Sequence, residues 1–171
     1  MAGPAPTLED RLRSCRRSAV HLEMRDGYMR SDPRFAAWRA GERDGLVVAG
    51  AWLSLIAETT SRGVPVRRAR IVSEPVSDYV RFEHHLTAGN VTAGEQVRWL
   101  ARRRASDLAL PGNDFWLFDG DVVVFHHFDG EGEPAADDEE VRTDQAAVRL
   151  CADAFTRVWE RAVPHADYAI G

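Results

Sequence analysis

The 171-residue sequence contains no lysine, and all 22 of its Lys+Arg cations are arginine. That absence removes Schiff-base catalysis, the lysine of a phosphate-binding loop and any His-x-Lys phosphodiesterase motif. Cysteine is nearly absent as well. Cys15 and Cys151 stand far apart, and neither has a second cysteine at metal-ligand spacing, so no metal site is expected. No apolar run approaches the ~18 residues of a membrane span, and the opening MAGPAPTLEDRLRS lacks the apolar core of a signal peptide. These absences predict a soluble, reduced, cytoplasmic protein with no membrane partner and no cofactor.

What is present is ordinary for a globular protein: 44% apolar and 29% charged residues. The length suits one full core, so residues 1–171 are read as a single domain, with 1–6 as a disordered start. A net charge of −5 argues against direct nucleic-acid binding, although local arginine clusters could hold an anion.

Along the chain, Thr7-Leu-Glu-Asp10 has the form of a helix start, followed by Leu8, Leu12 and Cys15 at helical spacing. Val20, Leu22 and Met24 alternate with His21, Glu23 and Arg25, the pattern of a half-buried strand. Short helices are predicted over Pro33–Gly41 and 50–62. Val48, Trp52, Leu55, Ile56 and Thr59 form the stripe of the second, and Gly63 its left-handed cap. Val64–Val72 reads as a strand that Pro75 ends, and Ser77 caps the next helix. Glu95–Leu100 is a further strand. Asp114–Phe118 and Asp121–Phe128 make a hairpin about Asp119-Gly120. The spacing places Asp114, Trp116 and Phe118 on one face with Val123, Phe125 and His127. Both faces of the hairpin are apolar, so both must be covered. Residues 129–144 (EGEPAADDEE at their centre) read as an acidic mobile loop, and 144–162 as an amphipathic helix. The expected fold is mixed α/β (α+β): one domain, with a mostly antiparallel central sheet of about five strands covered by helices.

Candidate site residues fall into two groups. Arg68, Arg70, Glu74, Asp78, Arg81 and Glu83 are predicted to converge where the strand ends and the next helix begins, a usual place for ligands on an α/β sheet. The same groups also fit a structural ion-pair network. Asp114, Trp116, Trp99 and Arg102 complete the candidate ligand set, with Trp99 as an aromatic wall. Asp114 could pair with His127 for acid–base work, or the hairpin histidines could be hydrogen-bonded core residues or lie at a fraying strand end. If the protein is an enzyme, Glu74, Asp78 or His126 would be its acid–base group.

The stretches SEPVSDYVRFE, NVTAGEQVRWL, LPGNDFWLFDGDVVVFHHF and AFTRVWERAVPHADY resemble an actinobacterial family of domains of unknown function. The resemblance runs from about Cys15 onward. The chain departs from it at Ala101, where proline is expected, and in the acidic loop at 131–140. Members are often found near small helix-turn-helix regulators, which implies a regulatory or ligand-sensing role. The pattern also resembles degenerate phospholipase-D-like sensor domains, which implies a half-domain of that fold without the His-x-Lys chemistry. The resulting expectation is a non-catalytic module that binds a small molecule or a regulatory protein, in an oligomeric state the sequence leaves open. The alternative is a small cofactor-independent enzyme of a specialised-metabolite pathway acting on an anionic substrate.

Overall fold

The computed structural model describes residues 5–46 and 50–170. Most of the expected disordered start, and Val48 of the expected helix stripe, lie outside these residues. Local chemistry sets the helix starts. Thr7 and Asp10 close a capping box on α1 (Leu8–Ser14). Asp32 caps α2 (Pro33–Arg39), whose first residue is the proline. Following α3 (Ala51–Ser61), Gly63 takes φ +82°, the left-handed turn that most residues resist. Ser77 Oγ accepts the Val80 N–H at 3.2 Å to start α4 (Asp78–Thr92). Asp144 caps α5 (Gln145–Arg161).

The strands are β1 (Ala19–Glu23), β2 (Val66–Val72), β3 (Gln96–Ala101), β4 (Phe115–Phe118), β5 (Val122–Phe128), β6 (Pro134–Arg142) and the two-residue β7 (Val163–Pro164). They form one sheet in the order β6-β5-β4-β1-β2-β3-β7. The pairs β1/β2 and β2/β3 are parallel and the other four are antiparallel, so the sheet is mostly antiparallel as expected. It has seven strands rather than about five because two edge strands were not read.

One of these edges corrects the acidic loop: residues 134–142 are a strand. Val124 opposes Val141 and His126 opposes Glu139. Acidic residues have poor strand propensity, but charge on a sheet edge blocks further strand pairing, and there it is tolerated.

The hairpin forms where expected but in a different register. Trp116 opposes Val124 and Phe115 opposes Phe125, so Trp116 shares its face with Val124 and His126 rather than with Phe125 and His127. The turn uses three residues, 119–121, with Asp119 and Gly120 both at positive φ. One extra turn residue exchanges the two faces of the returning strand. Asp119 is held in place because its carboxylate accepts the backbone N–H groups of Arg16, Arg17 and Ser18.

The two faces of the sheet differ. On one, Val20, Leu22, Ala69, Ile71, Leu100, Phe115, Leu117 and Val123 meet Cys151, Ala154, Phe155 and Val158 of α5 in a dry core. The other face lies under α3 and α4 and carries His21 and Glu23 of β1 and Arg68 and Arg70 of β2.

Candidate functional site

Strand register builds the site. Parallel pairing sets His21 beside Arg68 and Glu23 beside Arg70. On their far sides Arg70 neighbours Trp99 and His21 neighbours Trp116. Asp114 precedes β4, and its carbonyl accepts the His126 N–H at 2.9 Å. Alternation along each strand then points His21, Glu23, Arg68, Arg70, Trp116 and His126 to the same face. All five residues of β1 are buried, so its polar positions are not solvent-facing.

Arg68 and Arg70 each hold two carboxylates. Arg68 binds Glu23 and Glu95, both at 2.7 Å. Arg70 lies 2.8 Å from Glu23 and 2.6 Å from Glu83. Asn90 donates to Glu95 at 2.6 Å and the Tyr79 hydroxyl to Glu83 at 3.0 Å. Arg70 lies over Trp99 and Arg68 over Trp116, with guanidinium carbons 5.2 and 5.9 Å from the ring centres. Burial opposes the Arg68 charge, but Glu95 and Glu23 outweigh it, and the net direction is upward. The histidines behave differently. Burial, then the Arg68 charge, holds His21 well below its ordinary range, and burial also lowers His126. His21 is therefore a neutral imidazole, stacked on Trp116 with ring centres 4.3 Å apart.

Asp114 completes the floor. Its carboxylate takes the Met24 N–H at 2.9 Å and a short hydrogen bond from the Tyr28 hydroxyl. Burial pushes its pKa up to about 6; the Tyr28 bond works against this and the Glu23 charge adds to it.

Above this floor lies a cleft of about 490 Å³. Trp52 from α3, Tyr79 and Leu86 from α4, Tyr28, Phe128 and Trp116 supply aromatic and apolar walls. Several buried polar atoms in it lack a hydrogen bond: His21 Nδ1, Glu23 Oε2, Arg70 Nε and His126 Nε2. In most buried sites such groups are paired, and concentration of exceptions in a cleft marks a place prepared for something else.

Of the residues predicted from sequence, the fold brings Arg68, Arg70, Glu83, Asp114, Trp116 and His126 to this cleft. It does not bring Glu74, Asp78 or Arg81. Glu74 is exposed and accepts the Tyr168 hydroxyl at 2.9 Å. Asp78 is exposed beside Arg30 and Arg39, and half-buried Arg81 does not line the cleft. The strand ends at Val72, so Glu74 no longer follows its alternation. Trp99 is fully buried beneath Arg70, donates to His165 Nδ1 at 3.1 Å and stacks on Tyr168, so it supports the floor without lining the cleft. Arg102 ties Ser73, Asp26 and the Met24 carbonyl together. Sequence reasoning missed His21, Glu23, Tyr28, Tyr79 and Glu95. A usable signal existed, because a strand between covered faces has no solvent side for His21 and Glu23 to occupy.

Fold and site together define a single-domain α/β protein with a charged floor beneath an aromatic cleft. The chain belongs to the family described as a domain of unknown function, DUF6879, whose model matches residues 6–170. No curated protein matches it. Among solved structures it is similar to that of TrmBL2, described as an archaeal chromatin protein with a novel mode of DNA binding. The identity is 14% and the TM-score 0.48, over 91% of this chain and 48% of that one. The chain thus spans about half the length of that protein. This finding corrects the expectation against direct nucleic-acid binding. That protein is described as binding DNA, and a net charge of −5 alone is no ground for exclusion. No helix among the described residues is long and apolar enough to cross a membrane.

Proposed function

We propose that the domain binds a small organic molecule in the cleft under α3 and α4, as the sensing part of a regulatory system. One observation carries this reading: a buried, ion-paired floor opens into about 490 Å³ of largely apolar space while keeping unpartnered polar atoms. A purely structural network would be closed over, because burying charge is costly and a half-satisfied network more so. Clefts of this size, largely apolar with a few placed polar groups, are the usual form of small-molecule sites. A regulatory partner would then read the occupied state. The same holds for the phospholipase-D-like sensor resemblance, which needs no lysine to bind a ligand.

A second reading, a cofactor-independent enzyme, is favoured by Asp114. A carboxyl with a pKa near 6 facing a cleft that also holds the neutral His126 could act in acid–base chemistry. In that case Asp114 takes the role first given to Glu74 and Asp78, and its partner is His126 rather than the expected His127, which lies 3.3 Å from Glu140.

A fragment screen by saturation-transfer NMR tests the site, comparing wild type with Ala51→Trp. Ala51 is exposed in the first turn of α3 at the cleft wall, so tryptophan there blocks the opening without touching the core. We expect a set of fragments whose signal disappears in the variant while its melting temperature stays within a degree or two. No bound fragment, or fragments indifferent to Ala51→Trp, would sink the site.

A further inference from the structure

We propose, resting on that reading, that the cleft takes an organic cation: an ammonium or similar group on an apolar or aromatic body. The charge balance points there. Glu23, Glu83 and Glu95 face Arg68 and Arg70, so one negative charge is uncompensated, and ionised Asp114 adds another that Arg25 partly offsets. Arg34 also lines the cleft but is bound to Asp32 at 2.6 Å. Neither floor arginine has uncompensated charge with which to clamp an anion, although Arg70 Nε still lacks an acceptor. Each already spans two carboxylates, and Arg70 Nη1 is shared between Glu23 and Glu83.

Glu23 is 8% exposed, and its Oε2 makes no hydrogen bond, although Arg70 Nη1 lies 2.8 Å away. That buried oxygen belongs to a residue of the cleft floor. An N–H donor carrying positive charge satisfies that oxygen and offsets the buried negative charge at once. Tyr28 and Tyr79 line the same cleft, and a desolvated cation is attracted to the face of such rings. Among the described residues no group of three or more His, Cys, Asp or Glu side chains could hold a metal ion, which favours an organic cation over a metal ion.

Three probes of matched shape separate ligand class from site: 2-phenylethylammonium, 2-phenylethanol and 3-phenylpropanoate, titrated calorimetrically into the full chain at pH 7.5 and low salt. The ammonium should bind roughly tenfold or more tightly than the alcohol, as expected for a charge-assisted contact plus ring attraction. The propanoate should bind weakest. Glu23→Gln should bring the ammonium down to the level of the alcohol. Because that variant leaves two buried arginines short of a partner, Glu83→Gln is the second test. It should weaken the ammonium about fivefold and leave the alcohol unchanged, a charge-specific effect that a general loss of structure does not produce. Equal binding of all three probes, or preference for the propanoate, each abolished by Ala51→Trp, overturns the cation while leaving the site standing. Failure of all three to bind, together with an empty fragment screen, overturns both.

Discussion

Asp114 shows how much one side chain's surroundings decide. It sits at 4% exposure, and its pKa rises from 3.8 to about 6. A carboxyl whose folded pKa is raised contributes stability below its unfolded pKa and loses it as pH rises through the folded value. Across about pH 4 to 6, Asp114 should therefore cost the fold on the order of 2–3 kcal/mol as it ionises. His21 and His126 act oppositely, since a depressed histidine contributes stability above its unfolded pKa and loses it as pH falls. Only the difference between wild type and Asp114→Asn isolates the carboxyl. Urea midpoints at pH 4.5 and 7.5 should show the asparagine variant gaining on wild type at the higher pH. An identical change in the two proteins would mean that Asp114 titrates normally.

At the scale of elements, sequence periodicity was most informative where one face is dry. The stripe of α5 was legible residue by residue, and Cys151, Phe155 and Val158 are buried as read. Phe155→Ala should cost roughly 3–5 kcal/mol, seen as a lower denaturant midpoint at unchanged slope. A midpoint within error of wild type would mean that α5 docks loosely. Capping boxes and the Gly63 turn were also legible, because they depend on neighbours in sequence. Three things were not. The hairpin register turned on a single extra turn residue. Strand β6 exists by pairing with β5, against its own composition. The polar side of β1 was taken for a wet face because its place in the middle of the sheet follows from topology, which alternation alone does not contain. For the same reason the site was half seen: Arg68, Arg70 and Glu83 were in the expected set, but their partners Glu23 and Glu95 come from elsewhere in the chain.

Taken whole, the molecule has one sheet with apolar clusters on both faces, the two largest using opposite faces of the same strands. Neither layer can unfold without taking the backbone of the other with it, so unfolding should be a single transition. The two free cysteines report on it separately, with buried Cys15 on the α3 side and Cys151 on the α5 side. Thiol labelling across a urea series should give both the same midpoint. Cys151 reacting at clearly lower urea than Cys15 would mean that α5 peels away first.

The alternation of β1 and β2 has a consequence for how such a chain can change over time. Along β1, Val20 and Leu22 answer to the dry core while His21 and Glu23 answer to the cleft. Requirements that compete for the same positions in many proteins are here dealt out to odd and even residues of one strand. A saturation library read for both abundance and ligand retention would therefore be expected to separate by parity. Even positions of β1, and odd positions of β2, would fail mainly by disappearing from the cell. His21 would give variants that accumulate normally but no longer discriminate among ligands, which is the raw material for a new specificity on an unchanged scaffold.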